Sequence, residues 1–168
     1  MEGVAQPRFY FDLGSPRAWL AAERVVEDLG EVPEFVPVAM PEGGFRCDAE
    51  IDAYFEDIAR EAERLGVLAL RRPPVFPTDT GFAMLAATYA RQIGKVVAFS
   101  LGAFRQAYNG GRDLSEQDTV LLAGAAAEIH PAALIKGAGL RSTAERLRVA
   151  TEEARAAGVT AVPAVVRP

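Results

Sequence analysis

The segment Phe9-Tyr10-Phe11-Asp12-Leu13-Gly14-Ser15-Pro16-Arg17-Ala18-Trp19-Leu20 decides how the rest of the chain is read. Arg8 to Asp12 is rich in aromatic residues, whose bulk suits a pleated strand. The run stops at Leu13-Gly14. Ser15 then suits an N-cap, since its hydroxyl can accept from an N–H of the first turn, and Pro16 suits the first helical position, where no N–H is needed. Apolar residues return with a helical period at Trp19, Leu20, Ala22, Val25, Val26 and Leu29, and Gly30 supplies the stop. Glu34 to Ala39 reads as a second strand, with Pro37 placing it near a sheet edge. Strand, helix and strand within forty residues form a βαβ unit, for which a right-handed crossover is expected.

From Asp48 to Gly158 the pattern is helical. Helices are expected from Asp48 to Arg64, from Thr78 or Thr80 to about Gln92, and from Lys95 to Tyr108. Another is capped by Ser115, a short one begins at Pro131, and the last runs to Ala157 from the capping-box spacing of Ser142-Thr143-Ala144-Glu145. Val159 to Val166 returns to strand character, interrupted by Pro163. The plan is a single α/β domain over 1–168 with an all-helical insertion over about 48–141.

Composition narrows the function. Half of the 168 residues are hydrophobic, and 18 basic against 23 acidic residues leave a net charge of −5. That balance argues against nucleic acid, which needs a basic surface. The longest apolar run, near Val120–Ala127, is far too short to span a bilayer, and Met1 to Arg8 has no export signal, so a cytoplasmic protein without a membrane partner is expected. Cys47 is the one cysteine. It excludes an intramolecular dithiol–disulfide cycle and offers no metal pair, so no metal cofactor is expected.

Two places could carry chemistry. A helix N-terminus stabilises an anion, so Ser15 is either a plain N-cap or a donor to a bound thiolate or oxyanion. Pro163, at the head of an apolar strand, withholds one ladder donor that must be turned toward an edge, a loop or a ligand. His130 reads as a surface or capping residue, Cys47 as an incidental thiol, and the charges from Asp52 to Arg64 as the solvated face of a helix.

Together the two places carry a resemblance. Phe9 to Leu20 resembles the opening of 2-hydroxychromene-2-carboxylate isomerases and kappa-class glutathione transferases, DsbA-like members of the thioredoxin superfamily with serine where redox relatives carry the first cysteine. Gly158-Val159-Thr160-Ala161-Val162-Pro163 is similar to their cis-proline loop. Pro73 to Thr80 followed by Ala83-Met84-Leu85 is similar to their FP-x-N-T segment, and Phe104 to Tyr108 and Leu114-Ser115 are similar to their helical insert. The resemblance implies a thioredoxin-like fold with a DsbA-like helical insertion, a cis Val162–Pro163 bond, and glutathione as cofactor. Ser15 would hold its thiolate, Val162 would pair with its backbone, and Pro163 would shape the groove. Arg17, Trp19, Phe76 and Arg71 are candidate contacts for a small aromatic or electrophilic substrate.

Departures from the family pattern are Arg17 in place of an aromatic residue, Asp79 in place of asparagine, and an ending at Pro168 before the usual last strand and helix. That ending implies weakened glutathione binding and self-association, as a homo-oligomer, over the strand edge near Val165. The rivals to an isomerase or transferase are a non-catalytic DsbA-like binding module and a disulfide oxidoreductase, the latter opposed by the serine at position 15.

Overall fold

The structure, a computed structural model, describes residues 5–168. Three strands form one sheet: β1 (Arg8–Phe11), β2 (Glu34–Pro37) and β3 (Ala164–Val166), in the order β2-β1-β3. β2 lies parallel to β1, with Phe9 opposite Phe35 and Tyr10 opposite Val36. β3 lies antiparallel to β1, with Tyr10 opposite Ala164. β2 is therefore an edge strand, where Pro37 removes a donor that a central strand would need. Between β1 and β2 runs α1 (Pro16–Leu29), closed by Gly30 in the left-handed conformation. Between β2 and β3 lie α2 (Asp48–Leu65), α3 (Gly81–Gln92), α4 (Val96–Tyr108), α5 (Gln117–Ala126), α6 (Pro131–Ala138) and α7 (Arg141–Ala156).

Strand alternation sends the aromatic residues of β1 to both faces, and both are buried, which is why the strand reads as a continuous apolar run. Phe9, Phe11 and Phe35 enter the larger core with Trp19 of α1 and with Phe99 and Phe104 of α4. The Phe9 and Phe35 rings meet edge to face, 4.9 Å between centroids. Tyr10 and Val36 point the other way, into a smaller core closed by Ala150 and Ala154 of α7 and by Val159 and Val162. α3 ties the halves together by packing on α4, α6, α7 and β2. No single helix among the described residues is long and apolar enough to cross a membrane.

Two expected helix starts move. The helix expected behind Ser115 begins at Gln117 with Glu116 in the cap position, because the Ser115 N–H donates to Asp113 Oδ1 at 2.8 Å and is held in the preceding turn. The last helix begins at Arg141 rather than behind a Ser142 cap. The Thr143 hydroxyl donates to the Gly137 carbonyl at 2.6 Å, and Glu145 pairs with Arg148 instead of reaching back, so no capping box forms. The strands are also shorter than expected: Asp12, Val38, Ala39, Val162 and Pro163 lie beyond their ends.

The α3–α6 contact depends on a missing side chain. A Cβ at Gly137 would stand 2.3 Å from the Tyr89 ring, whereas one at Gly102 in α4 would meet only ordinary contacts at 3.5 Å or more. Gly137→Ala should therefore lower the unfolding free energy by about 1–3 kcal/mol. Gly102→Ala should raise it by about 0.5–1 kcal/mol through helix propensity. Urea denaturation of both variants checks the pair, and equal effects would show that the tight approach at Gly137 does not govern the packing.

Candidate functional site

Because β1 and β2 are parallel, the loops that follow them leave the sheet at the same end, where open α/β sheets gather their functional groups. The first loop carries Ser15. Its Oγ accepts from the Ala18 N–H at 3.1 Å, the capping bond that starts α1, and it donates to Glu42 Oε1 at 3.0 Å. Ser15 is completely buried. Glu42 comes from the second loop, and the same oxygen accepts from the Tyr54 hydroxyl of α2 at 3.0 Å. Burial, and then the Glu42 charge, push the Tyr54 phenol well above its ordinary range, so it keeps its proton and serves as a donor. One carboxylate thus joins the N-terminus of α1 to the first turns of α2.

Asp12 fixes both loops. Its Oδ1 accepts from the Gly14 N–H at 2.8 Å and from the Thr80 hydroxyl at 3.3 Å, while Oδ2 accepts from the Met40 N–H at 2.9 Å. Burial raises its pKa, the two backbone N–H groups and Thr80 pull it back, and the nearby Glu42 charge raises it again. The approach is tight at Gly14, where a Cβ would come within 3.3 Å of Asp12 Oδ1. Below the turn, Tyr108 donates to the Leu13 carbonyl at 2.9 Å, and the Leu13 N–H meets Met84 Sδ at 3.2 Å.

The third wall is the loop before β3, where the Val162–Pro163 peptide is cis. Glu42 and Val162 line one groove of about 310 Å³, together with Met40, Arg155, Thr160 and Ala161. Among the described residues neither the N–H nor the carbonyl of Val162 takes a hydrogen-bond partner. Pro163 faces a different, smaller apolar hollow with Phe9, Val25 and Val165.

Of the remaining expected residues, two belong to the surroundings of Tyr54. The Arg17 guanidinium lies over the Tyr54 ring, 5.2 Å from its centroid. Phe76 stacks on Tyr54 at 5.9 Å and meets Phe55 edge to face at 4.8 Å. Trp19 and Arg71 correct the sequence reading. Trp19 is fully buried, its ring 5.6 Å from that of Tyr108, so it packs the core and presents nothing to a substrate. Arg71 is exposed, with its Cβ on the side of Gly111, and does not line the groove. His130 caps α6, its Nδ1 accepting from the Ala132 N–H at 3.1 Å. Glu42 and Tyr54 are the residues that sequence reasoning missed. Pro41-Glu42-Gly43-Gly44 did carry a signal, an acid framed by turn residues just past the second parallel strand.

Two tests follow from Asp12. Asp12→Ala strands two backbone N–H groups and a hydroxyl in a buried place and should cost about 3–5 kcal/mol of stability. Asp12→Asn isolates the charge. With the folded-state pKa above the unfolded value of about 3.9, ionisation costs stability as the pH rises through that window. The advantage of the wild type over Asp12→Asn should thus be largest below the ordinary aspartate range and shrink as the pH rises. Urea titrations across that range check the sign, and a gap widening with pH would refute it.

Comparison with known proteins places this geometry. The sequence model of the DSBA-like thioredoxin domain matches residues 8–167. Among solved structures, a 2-hydroxychromene-2-carboxylate isomerase superposes with a TM-score of 0.83 at 18% identity, covering 96% of this chain and 85% of its own. A probable DsbA oxidoreductase from Streptomyces coelicolor superposes with a TM-score of 0.73 at 15% identity, covering 96% of this chain and 82% of its own. At such identities the likeness is one of fold. No curated protein matches the chain in sequence. With the family match running from β1 through β3 and the helical block inserted between β2 and β3, the chain belongs to the DSBA-like thioredoxin domain family.

Proposed function

We propose that the protein is a glutathione-dependent isomerase or transferase, of the kind represented by 2-hydroxychromene-2-carboxylate isomerase and the kappa-class transferases, acting on a small aromatic or electrophilic compound. One observation carries this reading. Glu42 accepts the Ser15 hydroxyl proton and also lines the groove of Val162, so one side chain links the cap of α1 to the loop that carries the cis-proline. Bound there, glutathione would supply a sulfur nucleophile that adds reversibly to an unsaturated carbon and departs after bond rotation. Ser15 and the positive end of the α1 dipole hold negative charge on that sulfur. Val162 offers an unpaired N–H and carbonyl to a peptide backbone, which is the fit a tripeptide requires. Arg17, held over Tyr54, places a cation beside the ring whose hydroxyl donates to Glu42. A single cysteine, exposed at Cys47, leaves this chain no dithiol pair for disulfide exchange.

A second reading, a non-catalytic binding module, is favoured by one feature of the same site. Ser15 is buried, and its only proton is already given to Glu42. A thiolate can receive that proton only when Glu42 gives it up.

The two readings separate in calorimetry. An enzyme of the proposed kind binds glutathione, and Ser15→Ala weakens that binding by roughly ten- to hundredfold, the usual worth of a hydrogen bond to a charged group. Glu42→Ala frees the donor and should tighten binding by about tenfold. Absence of glutathione binding in both the wild type and Glu42→Ala would favour the module.

A further inference from the structure

The groove lined by Glu42 and Val162 has one wall that the proposed function does not use. Arg155, in the last turn of α7, stands across the groove lining from Met40 and Glu42 and beside Thr160, Ala161 and Val162. That wall is fixed in place. Thr151, one helical turn earlier, accepts from the Ala39 N–H at 2.9 Å and donates to the Leu147 carbonyl at 2.8 Å, clamping α7 to the loop that carries Glu42. Beyond Arg155 the Gly158 N–H returns to the Arg155 carbonyl at 3.0 Å and the Val159 N–H to that of Ala154 at 3.0 Å, so residues 160–162 leave directly from this helix end.

The charge of Arg155 is uncompensated. Arg148, two turns earlier on the same helix, is paired with both Glu145 and Glu152, and Arg91 and Arg105 are paired with Glu34 and Glu23. Among the described residues Arg155 has no carboxylate within ion-pair distance, and its side chain is exposed. A cation near a helix C-terminus gains a little from the helix dipole. That gain does not require the residue to line a groove next to a backbone segment with free hydrogen-bonding groups. A guanidinium presents two parallel N–H donors that match a carboxylate. Val162 offers a site for a peptide backbone and Arg155 one for a carboxylate, and both border a space of about 310 Å³ whose Glu42 wall accepts the Ser15 hydroxyl.

We infer that Arg155 is the carboxylate anchor of this groove and that it selects a small anionic peptide thiol as the ligand. The inference rests on the glutathione reading and adds to it a residue that grips one of the two carboxylates of glutathione, supplied from α7 within this chain.

Calorimetry with three probes tests it: glutathione, its glycyl monoethyl ester, and cysteinylglycine, which lacks the γ-glutamyl carboxylate. Arg155→Gln should weaken glutathione binding by at least about tenfold, with Arg155→Lys intermediate, while the urea midpoint stays near that of the wild type. The analogue lacking the gripped carboxylate should bind the wild type and Arg155→Gln equally. Loss of discrimination toward the ester assigns the glycyl end, and toward cysteinylglycine the γ-glutamyl end. Unchanged glutathione binding in Arg155→Gln overturns the inference alone, as does equal weakening of all three probes. A wild-type protein and a Glu42→Ala variant that bind none of the three overturn both the inference and the function proposed above.

Discussion

A single buried carboxylate organises this molecule. Asp12 stands at the end of the central strand and accepts from groups in three separate segments: its own turn at Gly14, the loop after β2 at Met40, and the start of α3 at Thr80. Burying such a charge is unfavourable unless its lone pairs are satisfied, and here backbone N–H groups do most of that work. The arrangement sets where Ser15 stands, how the Glu42 loop leaves the sheet, and where the helical insertion joins the strands. A salt bridge to a basic side chain would have neutralised the charge but would not have tied three stretches of backbone to one point.

The consequence for the site is an unusual division of labour between loops. Ser15 keeps its local duty as the cap of α1, while its proton is directed outward to a residue of the next loop. Tyr54 meets the same oxygen from α2, with Arg17 and Phe76 both packed near its ring. Strand, crossover loop and insertion each supply one member of the cluster, so the cluster exists only once all three have packed. Polar groups assembled in this way reinforce one another, because each donor that is satisfied lowers the freedom of the next.

What was legible in the sequence follows from how far each signal reaches. The strand at Phe9–Phe11, the Ser15–Pro16 helix start and the stop at Gly30 are short-range effects of sterics and capping, and they stand where the residues place them. The edge position of β2 was legible from Pro37 for the same reason. Trp19 was misjudged because a helical period shows which residues share a stripe and not what that stripe faces. It faces Tyr108, almost ninety residues away in sequence. Glu42 and Tyr54 were missed because their partnership with Ser15 spans separate elements. Within the charged run from Asp52 to Arg64, Tyr54 looks like one more residue on a solvated face. Most of that run does behave so, as the Arg60–Asp57 and Arg64–Glu61 pairs show.

Ser15 has one proton to give, and this makes the position of the Glu42 loop and the state of the helix N-terminus mutually exclusive alternatives. Thermodynamic reciprocity then applies: whatever draws Glu42 away from Ser15 favours an external anion there, and an anion bound there releases the loop to the same degree. The segment from Pro41 to Gly44, mostly exposed and carrying two consecutive glycines, is therefore coupled to the helix N-terminus through the one contact that Glu42 makes with Ser15. A contact on that segment that moved Glu42 would leave the Ser15 hydroxyl without its present acceptor.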